Sequence, residues 1–251
     1  MALVAGIDCG TNSIRLIIAD REASGEPLNV RTREMRIVRL GEGIDKTGQF
    51  SPAALERCFA AVDEYAQIID KYGVDKIRFV ATSASRDAGN RDEFFSGIQE
   101  RLGVTPEVIS GEEEAALSFS GATSSFRDED EPVLVVDIGG GSTEFVLGQR
   151  GRVIDAISTN MGSVRIFERY LAPVIANANS GDGSLDPRQT PGIAKALIKA
   201  SFAIDKLIDE ADKKLGLERA RTLIGVAGTV TTITAHALGL KDYEPEKIHG
   251  S

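Results

Sequence analysis

VLVVDIGGGSTEFVLG, residues 133–148, sets three consecutive glycines between two apolar runs, with an aspartate before the turn and a glutamate after it. A glycine turn between strands lets backbone N–H groups point into one small space with no side chain in the way. That makes a concave anion site, and phosphate is its natural occupant. In this turn Gly139, Gly140 and Gly141 supply the backbone, and Ser142 and Thr143 add hydroxyl donors. Asp137 and Glu144 would repel a phosphate unless a cation lay between, so the pattern implies magnesium, with phosphate oxygens and water completing its shell. A tight hairpin with glycines chosen for twist and acids merely solvated accounts for the same residues. Both readings stand on this segment alone.

The segment has a counterpart near the start of the chain. Aligning Asp8 with Asp137 lays IDCGTNSIRLII over VDIGGGSTEFVL and matches Gly10 to Gly139, Ser13 to Ser142 and Leu16 to Phe145. Asp8 ends an apolar run, and Gly10, Thr11, Asn12 and Ser13 form a second cradle of similar chemistry. Two such turns facing one cleft could grip consecutive phosphates.

The chain between and beyond the copies alternates strand and helix. A hairpin and a third strand (29–41) open it. Residues 51–73 predict a helix with Ser51 as N-cap, Pro52 at the first position and Gly73 as stop. A buried strand follows at 75–82, then a helix at 90–103 with Asn90 capping and Glu93 three residues on, and a short strand at 104–110. The polar run 121–132 reads as a loop and domain boundary, and 177–190 as a second flexible loop. A long helix (191–216) and a strand–turn–helix unit (221–239) complete the pattern. The fold class is α/β with mixed sheets flanked by helices, in two domains, 1–121 and 122–251.

Composition narrows the function. At 251 residues and 42% hydrophobic, the chain can bury a substantial core. A net charge of −9 argues against a broad footprint on nucleic acid or anionic membrane, both of which need surplus Lys and Arg. No apolar run reaches bilayer length and the N-terminus lacks a secretory signal, so cytoplasm is the expected location. Cys9 and Cys58 read as reduced core thiols. With only His236 and His249, any metal is expected on carboxylates.

Other segments could add chemistry. Arg86 follows a buried strand, where ligands gather in α/β sheets, and suits bidentate phosphate contact; a salt bridge to Asp87 or Asp92 is the alternative. SGEEEA, 110–115, opens a helix, and a capping box of Ser110 and Glu113 accounts for Glu113 only. Glu114 can face protein and, beside a bound phosphate, deprotonate an attacking water. Gly228 and Thr229 sit in a further glycine turn before a helix, whose free N–H groups suit another phosphate. Gly162 and Ser163 could start a helix nearby, with Arg165 reaching a ligand or serving the fold. Arg31, Arg33, Arg36 and Arg39 read as a basic strip or a solvated strand face.

DCGTNS, TSASRDA, SGEEEA, DIGGGSTE, MGSVR and GVAGT, in this order, resemble the exopolyphosphatase and guanosine pentaphosphate phosphohydrolase family, of the actin and sugar kinase superfamily. The resemblance implies two ribonuclease-H-like (actin-like) domains with the active site in the interdomain cleft. It implies phosphate contacts at Gly10–Ser13 and Gly139–Thr143, Glu114 as catalytic base and Arg86 as cleft arginine. Asp137 and Glu144 are its metal-associated acids, with Asp8 as a further candidate for Mg2+ or Mn2+. The implied activity is release of orthophosphate from the end of inorganic polyphosphate. Guanosine pentaphosphate is the competing substrate, and no aromatic stacking platform for its base is evident. A kinase or a silent nucleotide-binding module of this fold is more distant, and a homodimer is compatible with the family. Thr11 stands where the family usually has serine. The family continues past Ser251, which implies a second domain truncated at its C-terminal end.

Overall fold

The computed structural model describes residues 2–20, 28–123, 130–178 and 191–250. Of the expected loops, 124–129 and 179–190 lie outside the described residues. The chain forms two compact units, Met1–Ser110 and Gly111–Ser251.

In the first unit β1 (Val4–Cys9), β2 (Ser13–Asp20) and β3 (Asn29–Ile37) form the expected antiparallel meander. After α1 (Ile44–Thr47) and α2 (Pro52–Tyr72), β4 (Lys76–Ala81) lies parallel to β1. Next come α3 (Ser83–Asp87) and α4 (Arg91–Leu102), and β5 (Glu107–Val108) lies parallel to β4. The order β3-β2-β1-β4-β5 is the ribonuclease-H-like arrangement.

Ile14, Leu16 and Ile18 alternate along β2 and are buried, as a sheet with one core face requires. Leu55, Val62 and Tyr65 of α2 and Phe94 and Ile98 of α4 join them in one core. The Tyr65 hydroxyl donates to the Ile14 carbonyl at 2.9 Å, satisfying a buried polar group inside that core. Helix α2 starts and stops as expected. The Ser51 side chain accepts from the Ala54 N–H, and Gly73 takes the left-handed conformation at φ 64°. Asn90 does not cap α4: its side chain accepts from Phe50 N–H at 2.8 Å and donates to Phe50 O at 3.1 Å, tying two loops together.

In the second unit α5 (Gly111–Ala122) precedes β6 (Val133–Ile138), β7 (Thr143–Gln149) and β8 (Arg152–Thr159), another antiparallel meander. A helical stretch follows through α6 (Ser163–Ile166), a π-helical turn (Phe167–Leu171) and α7 (Ala172–Ala178). After α8 (Pro191–Leu215), β9 (Thr222–Val226) lies parallel to β6, and α9 (Ala227–Ala237) and α10 (Pro245–Ile248) end the described chain. The order β8-β7-β6-β9 repeats the first sheet through its fourth strand. Strand β6 is apolar on both faces because both are covered: Val133 and Val135 pack with Ala115 and Phe119 of α5, Leu134 with Ala211 and Leu215 of α8.

Helix α5 therefore belongs to the second unit, whereas the boundary expected at 121/122 puts it in the first. Its apolar stripe, Ala115 and Phe119, covers the second sheet. Among the described residues no helix is long and apolar enough to cross a membrane.

Candidate active site

The two glycine turns are closed by the same bond. Gly10 N–H donates to Ser13 O at 3.0 Å, and Gly139 N–H to Ser142 O at 3.0 Å. In each turn further carbonyls are tied back to a later segment. Asn12 O accepts from Val38 and Arg39, and Thr11 O from Gly41. In the second turn Gly139, Gly140 and Gly141 carbonyls accept from the N–H groups of Gly162 to Arg165 at 2.9–3.2 Å. Consuming the carbonyls leaves the N–H side of each turn for an anion. Among the described residues no protein acceptor meets the backbone N–H groups of Thr11, Asn12, Gly140 or Gly141.

The MGSVR segment is thus the support of the second turn. A Cβ on Gly162 would overlap the Gly140 carbonyl and the Gly141 nitrogen, so only glycine permits this approach. Arg165 is buried and donates through Nε to Gly141 O at 2.8 Å, which is the structural reading of that arginine. Thr143 is also turned inward, at 1% exposure, with its hydroxyl donating to Met161 O at 2.9 Å. The expectation that this hydroxyl faces a phosphate is corrected: it is committed to holding Met161.

Three acids gather in the second unit. Asp137 ends β6, and Glu144 stands opposite it in the β6–β7 register. Glu144 is 1% exposed and accepts from Ser158 Oγ at 2.7 Å. Its carboxyl is pushed up to about 7, first by burial, next by the charge of Glu114 and also by Asp137; hydrogen bonds from Ser158 and Ser142 oppose the shift. Asp137 is half-buried and accepts from Ser118 Oγ at 2.6 Å. Glu114 itself is half-buried on α5, as expected of an acid facing protein.

A buried carboxylate beside two others calls for positive charge. Among the described residues no three acidic, cysteine or histidine side chains are placed to cage a metal. The donor set instead fits a hard cation of the magnesium type, which takes one or two carboxylates and fills its shell with water and phosphate oxygens.

Two more elements end at these edges. Val226 pairs with Asp137, so Gly228 and Thr229 at the start of α9 lie at the same end of the second sheet as the glycine turn. In the first unit the turn lies beside Thr82, which joins β4 to the short helix α3 that carries Arg86: a Cβ on Gly10 would sit 3.9 Å from Thr82 Oγ1, and Cys9 O accepts from Thr82 N–H. Arg86 donates through Nη1 to Ile109 O at 2.9 Å, fixing the guanidinium at that edge.

A protein-family model described as the Ppx/GppA phosphatase family matches residues 17–238. The chain belongs to this family. It is 41% identical over 254 aligned residues to exopolyphosphatase 2 of Mycobacterium tuberculosis, covering 98% of this chain and 74% of the relative. Its fold matches the crystal structure of an exopolyphosphatase-like protein at 48% identity and a TM-score of 0.85, over 96% of this chain and 70% of the other. An Aquifex aeolicus Ppx/GppA structure matches at 30% identity and a TM-score of 0.71, over the whole chain and 74% of the other.

Within this Ppx/GppA chain, Asp137, Glu144, Glu114, Gly139–Ser142, Gly228 and Thr229 belong to one unit, and Asp8, Gly10–Ser13 and Arg86 to the other. Asp8 faces Arg15 across the β1–β2 register, 3.8 Å away, so its near neighbour is already a cation. Sequence reasoning did not find Ser118 or Ser158. The i, i+4 spacing of Ser118 from Glu114 was a usable signal for one; nothing local marked Ser158.

Proposed function

We propose that this chain is an exopolyphosphatase, hydrolysing the terminal phosphoanhydride bond of inorganic polyphosphate and releasing orthophosphate with Mg2+ or Mn2+. The observation that carries the reading is the meeting of Glu114, Asp137 and the buried Glu144 in the unit that holds the Gly139–Ser142 turn. The name of the 41% identical relative, exopolyphosphatase 2, supplies the substrate class.

In this reading Glu114 orients a water and takes its proton as the water oxygen attacks the terminal phosphorus. The bond from that phosphorus to the bridging oxygen breaks, the bridging oxygen leaves as the new chain end, and Glu114 returns its proton to solvent. The N–H groups of Gly140 and Gly141 hold the phosphoryl oxygens, with Gly228 and Thr229 at the same sheet end; the Ser142 hydroxyl, expected as a phosphate donor, is buried and given to Glu144. Gly10–Ser13 and Arg86 bind phosphate in the first unit. Asp137 and Glu144 would hold the cation, which would neutralise charge on the phosphate oxygens.

Orthophosphate release from polyphosphate, guanosine pentaphosphate and ATP, each with Mg2+ and with EDTA, tests the reading. Polyphosphate should be the best substrate and EDTA should abolish release. Glu114→Gln should lower turnover about 10²-fold or more while leaving polyphosphate binding, followed by filter retention, largely intact. Equal losses of binding and turnover would remove Glu114 as base. Preference for guanosine pentaphosphate would move the substrate, and ATP-dependent phosphorylation without phosphate release would move the reaction class.

A further inference from the structure

Behind the acids stand two hydroxyls from different elements. Ser118 Oγ on α5 donates to Asp137 Oδ2 at 2.6 Å, and Ser158 Oγ on β8 donates to Glu144 Oε1 at 2.7 Å. A serine hydroxyl has one proton to give. Giving it to a carboxylate fixes that carboxylate's rotamer and favours its ionised form; Glu144 takes a further hydrogen bond from Ser142.

The two serines are linked through α5. Glu114 and Ser118 are four residues apart and share a helix face, so the face that brings Glu114 near Glu144 also brings Ser118 to Asp137. At the start of the same helix, Gly111 lies on Ser158: a Cβ there would sit 2.6 Å from Ser158 Cβ and 2.8 Å from its Oγ. Ser158 also faces Glu144 directly in the β7–β8 register. Helix, strand and both acids are therefore locked in one arrangement.

We propose that Ser118 and Ser158 are positioning residues that hold Asp137 and Glu144 in the rotamers needed to bind one divalent cation, and so set its affinity. The proposal rests on the reading of those acids as the cation-holding pair. Groups that orient metal-binding side chains from behind are worth about 10–100-fold in metal affinity. The opposite sign follows if the hydroxyls only satisfy the acids, because they then compete with the cation for lone pairs and their removal tightens binding.

Titration of the full chain with Mn2+, reading free ion by electron paramagnetic resonance and with no substrate present, separates the cases. Ser118→Ala and Ser158→Ala should each weaken Mn2+ binding about 10-fold or more. Ser118→Thr, which keeps the hydroxyl, should bind like the wild type, and Asp137→Asn should abolish the site. Circular dichroism and the thermal midpoint without metal accompany each variant, and the threonine variant guards against a folding defect being read as lost positioning. If Asp137→Asn abolishes binding while both alanine variants match or exceed the wild type, the positioning role is overturned and the acidic pair stands. If Asp137→Asn binds like the wild type, the acidic pair itself fails, and the proposal with it.

Discussion

Asp137 and Glu144 stand directly opposite each other on adjacent antiparallel strands, and the equivalent register of the first sheet pairs Asp8 with Arg15. One backbone device thus carries two carboxylates in one unit and a carboxylate with a guanidinium in the other. The first copy neutralises itself, with Arg15 Nη1 3.8 Å from Asp8 Oδ2. The second concentrates negative charge, which a proton or a divalent cation relieves.

That charge gives stability a pH dependence. Glu144 takes up its proton at about 7 in the folded chain, against 4.5 for the ordinary glutamate. Below the unfolded value both states are protonated. Between the two values the folded chain holds more protons, so stability falls as pH rises from the unfolded value through the folded one. The loss attributable to Glu144 is about 3 kcal/mol. Urea unfolding in EDTA at pH 5 and pH 8 should show it in the wild type, and Glu144→Gln should remove that part of the difference. Added Mg2+ at pH 8 should recover stability in the wild type alone. Parallel pH profiles for the two proteins would refute the assignment.

Gly162→Ala should disrupt the second glycine turn. The added methyl meets backbone atoms of Gly140 and Gly141 and not a flexible side-chain end, so the backbone must move. The expected cost is about 2–4 kcal/mol in urea unfolding, with loss of phosphate release. Wild-type stability and activity would show that the turn yields freely.

Ala227 sits at φ 71°, in the left-handed region, where α9 begins beside the pairing of Val226 with Asp137. An alanine there is strained, and Ala227→Gly should stabilise the chain by about 1 kcal/mol. Denaturant midpoints decide the sign. A destabilised variant would mean that the entropy of the new glycine outweighs the strain released.

Tyr65→Phe tests the first core. The lost hydroxyl removes the buried 2.9 Å hydrogen bond to the Ile14 carbonyl, which should cost about 1 kcal/mol. Because the change lies within the first unit, Mn2+ binding at Asp137 and Glu144 should be unaffected. Calorimetric unfolding and the Mn2+ titration check both parts.

Much of this was legible beforehand. The offset that lays Asp8 on Asp137 also lays the Gly10–Ser13 bond on Gly139–Ser142. Helix α2 runs between its Ser51 and Gly73 signals. Both are set by backbone preferences acting over a few residues, and those are written in the local sequence.

What stayed hidden was the choice of distant partners. Nothing near Asn90 says that its amide clamps Phe50, and the Phe119 stripe of α5 does not name the sheet it covers. The hydroxyl of Thr143 reads as a phosphate donor until Met161 O is found to hold it. The sequence by itself determined the duplicated strand–turn–strand device, the glycine positions and the acids flanking them, because a turn's geometry depends on its own residues. Only the tertiary structure decided which acids share one field and which serines hold them. Ser118 reaches Asp137, and Ser158 reaches Glu144, only after α5 and β8 have packed against β6 and β7, and packing is a long-range property of the whole unit.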